Sequence, residues 1–582
     1  MNPIRKKSYR LGLWILNRLV NKRKNYGLFG DIEEVYSLQL TQKGRWSAGW
    51  WFWSQILRAI IHSFHDSIYW NFVMLHNYGK VTFRNFRRQK AYSIINIAGL
   101  AVAMACCILI SSYVHMELSY DKYHAHSDRI YRLVVNGSIN GRDFNVASTN
   151  NPPGPVFTQE YPEVENAFRF RRRHRTSVKY ENRTFFEDCV FWADASVFDV
   201  FSFPFVSGNP TTVLKEPFTT VITESTALKY FGKDNSIDKV LRFDNQADYT
   251  ITGIMRDVPA NSHFTFDMLL SFATRYAVNR DQVEKWMGDF DNHFYLLLRE
   301  DADYRKLENK FPLQVEKHMG LTLKIIRWNL KYSLQPLTSI HLHSKLDGEI
   351  AGTSDIAYVY IFSAAALFIL FLACINFMNL TTARSAARAM EVGVRKVHGA
   401  RKGNLIKQFL GESTIYSLIS LIIAIGIVEA TLPLFRALSG SSMALGYFKV
   451  PWLVPVLIGL ALVVGIAAGS YPAFYLSKFQ PPKVLKCSFS GGLAQKRFRR
   501  YLVVIQFSVS LILIISKAVI FHQLRFTKTK MLGFDSERII TVRVGNERLQ
   551  DSLDYIKQEF RKISGVQSIA LTSHTPSAGA MP

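Results

Sequence analysis

Apolar residues in this chain cluster in long blocks rather than in short amphipathic periods. No Asp, Glu, Lys or Arg occurs from Ala91 to Met116, from Ile356 to Ala383, or from Val450 to Ser477, runs of 26, 28 and 28 residues. A bilayer core takes roughly 20 apolar residues in a helix, so each block predicts a membrane span. Two further segments, Ser413–Phe435 and Tyr501–Phe521, read the same way, interrupted by Glu429 and Lys517 near one end. A charge there reaches the interface by its own length. The pattern predicts five spans. The apolar stretch Leu11–Asn17 is short, is followed by Arg18 and lacks a small-residue cleavage site, so span one is read as the insertion signal.

Between the first two spans the pattern changes to strands and short helices. Arg129–Val135 alternates like a strand. Thr219–Thr223 reads as a strand running into a helix, Glu224–Phe231, with Gly232 as its stop. Val240–Phe243 and Tyr249–Ile254 flank a polar turn at 244–247, a hairpin signal. Asp303–His318 reads as one helix with Tyr304, Leu307 and Phe311 on a stripe, and the insert as an α+β domain in two lobes. Ahead of span one, a short helix beginning at Gly30, N-capped by Asp31, is expected. The segment with Trp46, Trp50, Trp51, Trp53 and Trp70 is interrupted by Arg58, His62, His65 and Asp66. It fits an interfacial helix with Trp at headgroup level better than a sixth span.

Charge orients this arrangement. The chain carries 71 Lys+Arg and 45 Asp+Glu, a formal +26. Residues 1–90 hold net +12, 384–412 net +5, 478–500 net +7, and the insert 117–355 net −3. Basic short loops stay on the cytoplasmic side, which puts the insert outside. The surplus thus marks a face toward anionic lipid, and nucleic acid is not expected as a partner. The run Arg169–Arg175, on the outer side, reads as a solvated strand edge. Five scattered Cys without a CxxC give neither a disulfide framework nor a zinc site. There is no GxxxxGK[ST], HExxH, GxSxG or EF-hand loop, so neither enzymatic activity nor a cofactor or metal is expected in this chain.

The loop 384–412 stands out. It reads as a helix to about Val397, a break at Gly399, and a second helix with Leu405, Ile406, Phe409 and Leu410 on one face. Such an elbow between two spans can pass a push into the membrane; it can equally be a basic loop on lipid headgroups. A partial repeat also appears. Phe86-Arg87-Arg88, span one, Leu118–Asp121 and a strand from Asp128 are echoed by Phe498-Arg499-Arg500, span five, Leu532–Asp535 and a strand expected at Glu537–Val542. On this basis the chain is read as truncated relative to a tandem-duplicated parent.

The segment Met390–Ala400 (MEVGVRKVHGA) followed by Gln408–Glu412 (QFLGE) resembles the signature of FtsX-like/MacB-type ABC transporter permeases. Tyr92–Ala101, Glu117–Asp121, Phe198–Phe203, Leu228–Gly232, Ala468–Ala473 and Phe479–Pro481 are similar to other parts of that family, in the style of Bacteroidetes tandem permeases with an N-terminal prefix domain. The resemblance implies an α-helical integral membrane protein with a large α+β periplasmic domain between helices 1 and 2. Its parts would be a cytoplasmic prefix (1–90), span one (91–116), a MacB-like core domain (117–355), an FtsX-like permease domain (356–477), a basic linker (478–500), span five (501–521) and the start of a second periplasmic domain (522–582). It implies a bacterial inner-membrane location with a cytoplasmic N-terminus, and a separate ABC ATPase subunit that binds ATP and Mg. Export or extraction would proceed by mechanotransmission. Glu391, Val392, Gly393, Arg395, Lys396, Gly399, Ala400 and Phe409 would form the ATPase-coupling elbow. A homodimer or second permease half and a periplasmic adaptor stand open as further partners. The alternative is a non-transporting membrane sensor or scaffold with an external ligand-binding domain.

Overall fold

In a computed structural model, residues 86–173, 175–383, 385–439, 451–478, 493–529, 539–542 and 552–572 are described, together with most of 26–61 and positions 14, 79, 80 and 84. Trp70, His62, Phe479–Pro481 and Leu532–Asp535 lie outside the described residues, as does most of the basic linker. By contact the chain divides into two compact units, one made of residues 1–107, 368–431 and 446–510, the other of 108–367, 432–445 and 511–582.

Among the described residues, five helices have the length and apolarity to cross a bilayer: Lys90–Leu118, Ile356–Ala383, Lys402–Ala437, Leu453–Ser477 and Arg500–Thr527. The third span runs on from the second arm of the elbow as one continuous helix, Lys402–Ser439. The fourth begins at Leu453, three residues later than its charge-free block. Glu429 and Lys517 are exposed on their helices. Span five presents its apolar side chains outward along its whole length, from Tyr501 to Phe526.

In the prefix, the helix Tyr26–Gln42 runs straight through Asp31, which therefore sits inside a helix and caps nothing. Residues 46–59 form a second helix, whose Phe52 and Ile56 pack on Ile32 with Tyr36, Trp51 and Ala59 around them.

The inserted domain is built on one 13-stranded mixed sheet. Its strands are β1 (Ile130–Ile139), β2 (Arg142–Val146), β3 (Val164–Arg173), β4 (Thr176–Tyr180), β5 (Arg183–Glu187), β6 (Val190–Ala193), β7 (Phe205–Ser207), β8 (Thr219–Thr223), β9 (Val240–Phe243), β10 (Ala247–Met255), β11 (Met268–Ser271), β12 (His293–Leu298) and β13 (Trp328–Pro336). The path runs β13-β1-β12-β3-β6-β11-β8-β10-β9-β4-β5, with β2 on β1 and β7 on β10. Separate apolar clusters pack on this sheet. In one, Leu133, Phe294 and Leu296 pack against Leu307, Phe311 and Met319 of the helices Tyr304–Glu308 and Phe311–Ile326. In a second, Ile222, Leu241 and Ile251 pack against Tyr230 and Phe231 of the helix Glu224–Phe231. A third cluster, rich in Phe, gathers Phe168, Phe170, Phe191 and Phe201.

Local chemistry explains the elements. Thr223 caps Glu224–Phe231 by accepting from the Thr226 N–H, and Gly232, at φ +65°, ends it. Asp244 and Asn245 both take positive φ, 50° and 55°, and the Gln246 N–H donates to the Phe243 carbonyl at 2.9 Å, a tight turn within the three-residue loop 244–246 between β9 and β10. The expected helix Asp303–His318 is instead two helices. Asp303 caps Tyr304–Glu308, the chain breaks at 309–310, and Pro312 falls in the first turn of Phe311–Ile326, where its missing N–H costs no hydrogen bond. Residues Ile539–Val542 form no strand, contrary to expectation, while Leu553–Arg561 is helical.

The arginine run is the main correction. β3 lies inside the sheet, hydrogen-bonded to β12 and β6, and is not a solvated edge. Arg169 is buried, donates to both Asp194 oxygens at 2.8 and 2.7 Å, and lies 3.9 Å over the Phe272 ring. Arg171 pairs with Asp289 and Asp291, and Arg173 with Asp244. His174 lies outside the described residues.

Candidate functional site: the elbow and the polar cluster it joins

The elbow helix Ser385–Val397 ends in a hydrogen-bonded stop. The Gly399 N–H donates to the Lys396 carbonyl and the Ala400 N–H to the Arg395 carbonyl, both at 3.0 Å, with Gly399 at φ +89°. This pair of bonds around a left-handed residue is the Schellman stop that glycine favours. Two residues later the long helix Lys402–Ser439 begins.

The two arms are fastened to span four. Ala389 and Val392 from the first arm and Leu405 and Phe409 from the second bury themselves with Ala473 and Leu476. Lys396 Nζ donates to the Ser477 carbonyl at 2.7 Å, placing a cation on the C-terminal carbonyls of that helix. Arg395 pairs with Glu391 one turn back at 2.6 Å and donates to Gln408 Oε1 of the second arm at 2.5 Å. The eight predicted residues therefore separate into two groups. Val392, Gly393 and Phe409 are buried and hold the elbow together, while Glu391, Gly399 and part of Arg395, Lys396 and Ala400 reach its surface. Sequence reasoning missed the exposed apolar stripe Met390, Val394 and Val397, although its i, i+4, i+7 spacing on a helix was readable.

It also missed the link beneath. Arg388 donates to Glu412 Oε1 at 2.6 Å, joining the elbow helix to the long helix. Burial works against the Arg388 charge, but the adjacent Glu412 carboxylate outweighs it and holds the guanidinium above its ordinary pKa. Around the pair, Tyr92 hydrogen-bonds Thr381 at 2.7 Å and Ser93 hydrogen-bonds Tyr416 at 2.9 Å, tying span one to spans two and three. Tyr92, Thr381, Arg388, Glu412, Tyr416 and Pro472 line a small cleft. Spans three and four approach closely beside it: Ser417 Oγ donates to the Ala461 carbonyl at 2.7 Å, and Gly465 and Gly469 face Thr414 and Ser413. Small residues permit such contact between helices. Among the described residues, no group of three or more His, Cys, Asp or Glu is placed to hold a metal ion.

Comparison with known proteins places these parts. Residues 93–312 match the model of the MacB-like periplasmic core domain, and residues 363–481 that of the FtsX-like permease C-terminal region. The macrolide export ATP-binding/permease protein MacB of Bdellovibrio bacteriovorus is 21% identical over 273 residues, 46% of this chain and 38% of that protein. The ABC transporter permease YknZ of Bacillus subtilis is 30% identical over 112 residues, 19% of this chain and 27% of that one. The matches thus span well under half the length of these curated relatives. Among solved structures, a domain assigned to a permease protein of Porphyromonas gingivalis is 23% identical with a TM-score of 0.34, covering 37% of this chain and 91% of its own. The periplasmic region of MacB from Actinobacillus actinomycetemcomitans is 12% identical with a TM-score of 0.27, covering 37% of this chain and 91% of its own.

Proposed function

The chain belongs to the FtsX-like, MacB-type family of ABC transporter permeases, and on that premise we propose that it is the permease subunit that carries the ATP-driven motion of a separate ATPase across a bacterial inner membrane to its external domain, in export or extraction of a substrate. The observation that supports this most directly is the elbow. Its outer surface presents Met390, Val394 and Val397 beside Glu391 and Arg401, a small apolar stripe with charged flanks suited to a docking partner. Its inner surface is bound to spans by Lys396, Arg395 and the Arg388–Glu412 pair. A displacement applied at the handle therefore has to move helices, because packed interiors shift as bodies rather than deform.

ATP and Mg would sit on the partner, the N-terminus and elbow in the cytoplasm, and the inserted domain in the periplasm. The short-loop charges of +12, +5 and +7 against −3 on the insert favour that orientation. A second copy, or a second permease half, would complete the pair of elbows that two ATPases need.

The test is reconstitution with an ABC ATPase that co-purifies with this chain. Glu391→Lys, Arg401→Glu and Val394→Asp are expected to lose stimulation of ATP hydrolysis while keeping the thermal stability of the parent. Full stimulation in all three would refute the elbow assignment. A chain that recruits no ATPase and still binds an external ligand would favour the sensor reading instead.

A further inference from the structure

The second prefix helix, residues 46–59 with Ile61 continuing it, is apolar on two opposite faces. One face is accounted for: Ala48, Phe52 and Ile56 are buried, the last two against Ile32 of the helix Tyr26–Gln42. The other face carries Trp46, Trp50, Trp53, Leu57 and Ile61, which follow i, i+4, i+7, i+11 and i+15 and so lie on one line of the helix surface. All five are exposed, Trp46 at 93% and Trp50 at 82%. A core helix does not spend its largest residues this way, and a solvated helix does not concentrate them on one stripe.

The surrounding charge says what covers the stripe. Residues 1–90 hold 16 Lys/Arg and 4 Asp/Glu. Lys43 and Arg45 immediately precede Trp46, and Arg84, Arg87 and Arg88 stand just ahead of the helix of span one, which starts at Lys90. Arg84, Arg87 and Arg88 are exposed and, by their position, held at a bilayer surface. The stripe is joined to that surface by the chain between Ile61 and Lys90, and a covalent tether raises its effective concentration there. Tryptophan is favoured at the headgroup level, and basic residues beside it are drawn to anionic lipid.

We propose that the prefix is a membrane-surface anchor, in which the Trp46–Trp50–Trp53–Leu57–Ile61 stripe lies in the headgroup region of an anionic leaflet and the Tyr26–Gln42 helix rides on its outer side. The reading goes beyond the permease function, since nothing in the coupling geometry requires it.

Full-length protein in nanodiscs tests it. Emission of the Trp46→Phe/Trp50→Phe variant is subtracted from that of the parent, isolating Trp46 and Trp50 from the other eight tryptophans. Lipids brominated near the headgroup are expected to quench roughly half or more of this difference signal, and lipids brominated at the chain ends to quench it less. Quenching is expected to rise when phosphatidylglycerol is added to phosphatidylcholine and to fall back in high salt. A difference signal that keeps a water-exposed emission maximum and is quenched by neither lipid would overturn the proposal. A blue-shifted signal that no brominated lipid reaches would overturn it equally, by assigning the stripe to a protein. The paired variant Phe52→Tyr, on the covered face, is expected to leave the quenching unchanged.

Discussion

Arg388 and Glu412 meet at 2.6 Å across 24 residues of chain, and their ion pair joins the elbow helix to the long helix of span three. Both side chains are largely buried, at 15% and 8% exposure. Removing one partner strands the other as an uncompensated charge, which costs about 3–5 kcal/mol, whereas replacing both with apolar residues of similar volume is close to neutral. Arg388→Met or Glu412→Leu is therefore expected to lower the unfolding temperature strongly, and the double replacement to restore most of it. A double-mutant cycle with no coupling energy would show that the pair is incidental.

The seam between spans three and four gives a second expectation. A Cβ added to Gly465 would stand 2.6 Å from the Thr414 Cα, so the backbones would have to separate. Nothing lies within 4 Å of a Cβ at Gly459 on the same helix. Gly465→Ala is expected to cost about 1–3 kcal/mol by overpacking, and Gly459→Ala to be neutral or slightly stabilising. Thermal unfolding in one detergent compares them directly; equal melting temperatures would contradict the packing.

Gly399 behaves differently, because space is not its constraint. A Cβ there meets nothing within 4 Å, but φ is +89°. Asn tolerates this region better than other side chains and a β-branched residue tolerates it poorly, a difference of about 1–2 kcal/mol. Gly399→Asn should keep stimulation of the partner ATPase and Gly399→Val should lose it. If Val is tolerated as well as Asn, the stop at Gly399 does not set the elbow.

Acid should loosen the inserted domain in two stages. Burial lowers His124 and His293 to about 4 each, against an ordinary value near 6.5. The unfolded chain then binds protons that the folded domain refuses, so stability is full above pH ~6.5 and drains as pH falls toward ~4, by up to about 3 kcal/mol per histidine. Asp121 adds a later stage. Burial opposes its ionisation, but His263 outweighs this and holds it below its usual value, so its contribution is lost only below the ordinary Asp range. His293 Nε2 lies 3.0 Å from the Gly348 carbonyl, so His293→Gln keeps the donor and removes the titration. Protection of the β12 amides against hydrogen exchange, taken relative to the intrinsic rate at each pH, should fall less between pH 7 and pH 5 in this variant than in the parent.

What could be read in advance follows physical range. The spans were legible because a bilayer demands a length of uncharged chain that little else requires. Thr223, Gly232 and the Asp244–Asn245 turn were legible because caps and turns are settled by neighbours. Asp31 misled because a helix-capping residue type is equally at home within a helix whose start lies further upstream. The Arg388–Glu412 pair was invisible because its members are 24 residues apart with a helix stop between them, and only packing of the elbow on span four brings them together. The arginines of β3 were misread for a related reason: their acids lie in other loops, and sequence proximity shows only the uncompensated charge.

Those arginines bear on how the inserted domain assembles. One strand presents Arg169, Arg171 and Arg173 to Asp194, Asp289 and Asp244, at separations of 25, 118 and 71 residues. Closing the longest of these loops costs only about 1.4 kcal/mol more than the shortest in chain entropy. Search time is another matter, since distant contacts set the pace of folding. Until the segments that carry the acids return to it, β3 is a strand of unpaired cations, kept apart by its own charge from a second copy of itself. The same residues that staple the finished sheet would thus guard the unfinished one against mispairing with its neighbours.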